Sequence, residues 1–301
     1  VTRLVPTSAV SLGVVRLVVH GAFLISVMTT SFSTLGELPV TVVRPAGVMK
    51  LLPWAFYDHL LTPSGMTLLK VVTLVSLGLG AAGLFTAVST KASLVLVVLF
   101  QGLVRSLGHY NHDEMLGVLF FGVLAFTPCG DALSLDRHLF GPRRPRPGFA
   151  YGYPILLMRS LLAWVYFSSA LIKLRVSGLT YLSPDNLPVL AIYHSLDNLH
   201  DTAFRYAFWL PEVRSSLGVV GGLVLLWELL FPLAVFSRRC RWGILAFGVV
   251  FHLSTLFLMN VFFPHTLAMY LVFVDWDAVA ARLVKPSAEE RGTIVNRGLP
   301  A

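Results

Sequence analysis

The sequence predicts an all-α, polytopic integral membrane protein, a helical bundle of about eight transmembrane helices. Three observations predict it. The 301-residue chain is 56% hydrophobic and only 13% charged, with mean hydropathy +0.76, whereas a soluble chain carries about a quarter charged residues. A bilayer core takes about 20 apolar residues per helix, and the sequence offers seven or eight such stretches. Little polar sequence is left over, so residues 1–280 read as one transmembrane domain and 281–301 as a polar cytoplasmic tail.

The first apolar stretch, 9–30, contains Arg16 and His20, which fits a retained helix better than a cleaved signal. A Pro-rich segment follows, and within it residues 51–61 look like an amphipathic interfacial piece with Trp54 and Tyr57 at headgroup level. Helices are predicted over 66–87, 92–107 and 115–126, the last preceded by the polar run GHYNHDE. An Arg- and Pro-rich loop covers 127–148. Further helices are predicted over 154–173, 215–236, 242–259 and 261–274, with a long polar segment at 175–214.

Basic residues set orientation. With the N-terminus inside, the inner loops hold Arg3, Lys91, Arg137, Arg143, Arg144, Arg146, Arg238, Arg239 and Arg241, then Arg282 and Lys285. Outer segments hold Arg44, Lys50, Arg175, Arg205 and Arg214, diluted over longer stretches. Both termini are therefore expected in the cytoplasm. The net charge of +8 is accounted for by this bias and does not point to nucleic acid. The same orientation puts His59, His109, His112, His194, His200 and His265 at the outer face, with Lys173.

Lys173 ends a helix on which Tyr166, Ser169, Lys173 and Ser177 share one polar face. A lysine there is either an anchor snorkelling to the headgroups or, where desolvated, a base usable near neutral pH. Asn111 fits a helix cap, with Asp113 and Glu114 suiting the positive helix start, and His112 beside them is a candidate acid or base. Counted from the inner ends, Arg16 and Glu228 lie at similar depth and are expected to form a structural ion pair. His20 and His252, both near mid-membrane, are weak candidates for haem. Asp131, Ser134 and Asp136 look like a capped interfacial turn.

Several classes are excluded. Cys129 and Cys240 stand far apart, which argues against thiol–disulfide chemistry and structural zinc, and no metal site is expected. No G-x-S-x-G, Walker or dinucleotide glycine pattern occurs.

YFSSALIKL around Lys173, YNHDEMLG, PCGDALSLD, WELLFP and FHLSTLFLMNVFF, in that family's order, resemble segments of vitamin K-dependent gamma-glutamyl carboxylase. They also resemble its bacterial relatives, the horizontally transferred transmembrane (HTTM) domain proteins. The resemblance spans roughly 9–275, without the carboxylase's large soluble region, and Ile172 stands where the animal enzyme has a second lysine. It implies a lyase of carboxylase type in the bacterial inner membrane, with its site at the outer face. Lys173 would act as base toward vitamin K hydroquinone or another reduced quinone, assisted by His112 and Asn111. Tyr166, Ser169, His109 and Tyr110 would line the quinone pocket. O2 and CO2 would be co-substrates, a glutamate of a peptide or protein the acceptor, and membrane lipid the surrounding partner. The alternatives are a non-enzymatic HTTM protein assisting peptide maturation, export or immunity, and a quinone- or haem-binding redox subunit.

The topology is tested by cysteine labelling in intact cells. Leu190→Cys should react with an impermeant reagent and Gly141→Cys should not; the reverse result would move the histidine-rich face to the cytoplasm.

Overall fold

The computed structural model describes residues 8–108, 112–142, 146–198 and 204–283. All regular elements among them are helices, and six are long and apolar enough to cross a membrane. The protein is a polytopic helical membrane bundle. In chain order the α-helices are α1 (Ala9–Thr29), α2 (Phe32–Leu35), α3 (Trp54–Leu60), α4 (Pro63–Ala82) and α5 (Thr86–Ser106). Then come α6 (His112–Leu124), α7 (Leu135–Phe140), α8 (Phe149–Ser177), α9 (Asn186–Asp197) and α10 (Arg214–Leu230). The chain closes with α11 (Leu233–Phe236), α12 (Arg238–Met259), α13 (Pro264–Met269) and α14 (Trp276–Leu283).

The long helices are apolar on both sides, which a bilayer allows and water does not. Leu12, Val19, Phe23 and Val27 of α1 are buried in the bundle, while Ile25 and Met28 of the same helix are exposed. Ends are set by local chemistry. Thr62 caps α4 by accepting from Gly65 N at 3.1 Å, and Pro63 opens the helix. Gly83, at φ 70°, turns the chain out of α4.

Two of the eight expected spans are half-length. The stretch expected at 115–126 is α6, 13 residues long, or about 20 Å. The one expected at 261–274 is α13, six residues, continued by the 3₁₀ turn Tyr270–Phe273. Both pack on α1 and on each other. The helix expected over 215–236 breaks between α10 and α11, because Pro232 has no N–H for the Glu228 carbonyl and the turn tightens around Phe231. The interfacial reading of 51–61 holds for Trp54, which is exposed, and not for Tyr57, which is buried and donates to Met49 O at 2.5 Å. The 175–214 segment is ordered where described, through a 3₁₀ turn Gly178–Leu182, α9 and a second 3₁₀ turn Tyr206–Val213.

The turn around Asp131 and Asp136 holds more than a local cap. Asp136 is buried, and its carboxylate accepts from Phe85 N at 2.7 Å, Thr86 N at 2.8 Å and Thr86 Oγ1 at 2.8 Å. It therefore closes the positive end of α5 across the chain. Ser134 caps its own α7, accepting from Arg137 N at 3.1 Å. Asp131 takes an ion pair from Arg146 at 3.1 Å and a hydrogen bond from Tyr151 at 2.9 Å.

Asp136→Ala should cost about 3 kcal/mol, since it strands buried donors, against about 1 kcal/mol for Ser134→Ala, an ordinary cap. Thermal unfolding of purified protein in detergent reads both; equal losses would remove Asp136 as the anchor of α5.

Candidate functional site

The site is built on α8. Residues spaced by three and four along it place Tyr166, Ser169 and Lys173 on one face. α10 packs against that face and supplies Glu228. Lys173 Nζ donates to Glu228 Oε1 at 2.5 Å, and Ser169 Oγ donates to the same oxygen at 3.2 Å. The ammonium also lies 5.5 Å from the Tyr181 ring centre, a cation–π contact. The lysine side chain is 26% exposed and the glutamate 4%. Lys173 thus turns inward to a buried carboxylate instead of reaching for the headgroups. Glu228 Oε2 is buried and has no hydrogen-bond partner among the described residues.

This arrangement corrects the expected pairing of Arg16 with Glu228. Arg16 is fully buried and binds backbone carbonyls: Cys129 O at 2.9 Å, Ala81 O at 3.3 Å and Leu133 O at 2.5 Å. The guanidinium fork matches several divergent carbonyls, at the end of α4 and in the turn that follows α6. Glu228 faces α8, so the lysine reaches it. Lys70, in the first half of α4, donates to Met28 O at 3.1 Å and Thr30 O at 2.8 Å, closing the C-terminus of α1.

One turn below Ser169, the Tyr166 hydroxyl stands 2.5 Å from His252 Nε2 and 2.6 Å from the Tyr270 hydroxyl. Its ring stacks on Phe231 at 4.2 Å and meets the edge of Trp227 at 4.8 Å. Tyr166 is therefore enclosed by protein, in a buried hydrogen-bonded triad, where the sequence reading made it a pocket wall. Ser169 serves Glu228. His20 contacts Arg16 O through Nδ1 at 2.9 Å and lies edge-on to Phe121 at 4.7 Å. A Cβ at Gly80 would come within 2.2 Å of its Nε2, so this ring occupies space that only glycine leaves. His20 and His252 sit among different neighbours, Phe121 beside the first and Phe251 and Phe263 beside the second. His109, Tyr110 and Asn111 lie outside the described residues, and of His112 only the backbone, as the first residue of α6, is described.

A second polar centre went unread in the sequence. Asp113, beside His112, does not cap its own helix alone. Its Oδ2 accepts from His265 N and His265 Nδ1, each at 2.9 Å, and its Oδ1 accepts from Thr266 N at 2.6 Å. Asp113 thereby closes the start of α13, from the far end of the chain. Beside it, Glu114 Oε1 accepts from Ser26 Oγ at 2.8 Å. The only sequence signal was the placement of His265 and the NHDE run at the same face.

Comparison with protein-family models, with curated proteins and with solved structures gave no match. The likeness to the carboxylase and HTTM proteins therefore rests on the quoted motifs.

Arg16 and Glu228 share no partner, so their losses should add. Arg16→Met and Glu228→Gln are each expected to destabilise, Arg16→Met the more, and the double variant should lose the sum within about 0.5 kcal/mol. Recovery in the double variant, read by thermal unfolding, would restore the direct pair.

Proposed function

We propose that the protein is a carboxylase-like membrane enzyme in which Lys173 is the base toward a reduced quinone and Glu228 is its proton partner. The observation that supports this is the inward-turned lysine, held at 2.5 Å from a buried carboxylate on a polar helix face. A reduced quinone, vitamin K hydroquinone or another, would with O2 supply the strong base needed to remove a glutamate γ-proton before CO2 adds. The chain's own task is to hold and move one proton. An ammonium–carboxylate pair in an apolar bundle has a neutral amine–acid counterpart one proton transfer away. Ser169 fixes Glu228 Oε1 in line with the amine in both states. The reading places the protein in a bacterial inner membrane, with quinone arriving from the lipid and a peptide or protein glutamate presented at the outer face.

A second reading has an observation of its own. The pair also neutralises a buried charge and fastens α8 to α10, which is sufficient for a non-enzymatic helper in peptide maturation, export or immunity.

The two part at Lys173→Arg. A guanidinium keeps the ion pair and will not release its proton at working pH. The assay is fixation of radiolabelled bicarbonate into a glutamate-rich peptide by protein in nanodiscs, given vitamin K hydroquinone or menaquinol and O2. Lys173→Arg should keep normal membrane yield and lose roughly 10²–10⁴-fold in activity. Lys173→Met should lose yield as well, because it strands Glu228, and Lys173→Met with Glu228→Gln should regain yield without activity. Full activity in the arginine variant, or no fixation by the parent protein with either quinol, would leave the pair as a structural clasp.

A further inference from the structure

A groove of about 480 Å³ opens between α1 and α13. Its walls are apolar: Leu17, Gly21 and Ile25 on one side, Phe262, Pro264 and Ala268 on the other. Leu17, Ile25 and Phe262 are exposed, so the groove opens on a surface that faces lipid chains in a membrane. Gly21 keeps it wide; a Cβ there would meet nothing within 4 Å.

The floor is polar. It holds Ser26, Asp113, Glu114 and His265. A carboxylate only accepts, so the His265–Asp113 contact at 2.9 Å takes the Nδ1 proton, and in the neutral imidazole Nε2 then carries a lone pair. That Nε2 is buried and has no hydrogen-bond partner among the described residues. The histidine is only 5% exposed, and its ring is held in place by Phe23 at 4.8 Å. A buried acceptor left empty costs free energy that a donor would recover. Two carboxylates in the floor repel an anionic headgroup. Asp113 accepts N–H bonds and Glu114 accepts from the Ser26 hydroxyl, so among the described floor residues the unmet buried acceptor is His265 Nε2.

We propose that this groove binds the head of a lipid-soluble alcohol or phenol, whose hydroxyl donates to His265 Nε2 while its apolar body lies between α1 and α13. The site does not depend on the catalytic reading, and its test reads binding alone.

The probes are para-dodecylphenol, its methyl ether para-dodecylanisole, and dodecylammonium. Their binding to the full chain released from nanodiscs is measured by native mass spectrometry. One phenol should bind per chain, at least tenfold tighter than the ether, which keeps the bulk and loses the donor. Gly21→Leu should abolish binding of both by filling the groove from an open side. His265→Phe should bring the phenol down to the level of the ether. Equal binding of phenol and ether, tighter binding of dodecylammonium, or unchanged phenol binding in Gly21→Leu would each overturn the proposal.

Discussion

Asp113 is the interaction on which most of the polar interior depends. Within a bilayer, a helix that starts partway leaves N–H groups that water cannot reach. α13 starts inside the bundle, with His265 and Thr266 buried, and Asp113 accepts from His265 N and Thr266 N at its first turn. With α13 fixed, the following 3₁₀ turn sets Tyr270, which meets the Tyr166 hydroxyl. Tyr166 lies on the α8 face that carries Ser169 and Lys173. The same carboxylate fixes the tautomer of His265. One acid at the start of one half-length helix thus positions another, and through it a face of the longest helix.

The buried charges are settled by a common rule. Cations meet carbonyl-rich ends and anions meet N–H-rich ends, as the helix dipole requires. Arg16 binds carbonyls after α4 and in the turn that follows α6, and Lys70 closes α1. Arg241 binds Ala234 O and Val235 O at the end of α11, and Arg159 binds Val272 O. Asp136 and Asp113 serve helix starts. Lys173 and Glu228 depart from this rule. They sit within α8 and α10 and answer each other, side chain to side chain.

Composition and apolar run length were enough to read the bundle, because a bilayer demands long unbroken hydrophobic segments whatever their packing. The polar face of α8 was also readable, since helical period alone aligns Tyr166, Ser169 and Lys173. What period and depth do not encode is which helix stands beside which. Arg16 and Glu228 matched in depth, yet Glu228 faces α8 and Arg16 faces the end of α4. The half-length of α6 and α13 was hidden because apolar residues continue past both, while Pro264 and the NHDE run set their starts. Asp113 was read as a cap for its own helix because its actual partner lies 152 residues away in the chain.

A buried ion pair is weak evidence for stability, because desolvating two charges consumes most of what their attraction returns. Fastening α8 to α10 does not need one. Ala170, Tyr181 and Leu225 already form an apolar contact between these elements, and Tyr166, Trp227 and Phe231 form another. Glu228 stands between Leu225 and Phe231 along the chain, with Ser169 donating to the oxygen it shares with Lys173 and Oε2 without a partner among the described residues. A purely structural clasp would be expected to satisfy both carboxylate oxygens, since an unmet buried acceptor works against it. The amine touches Oε1, at 2.5 Å, so a proton that it gives up passes to Oε1 and not to Oε2. The unpaired Oε2 is therefore a buried acceptor that, among the described residues, neither the clasp nor a transfer to Oε1 satisfies.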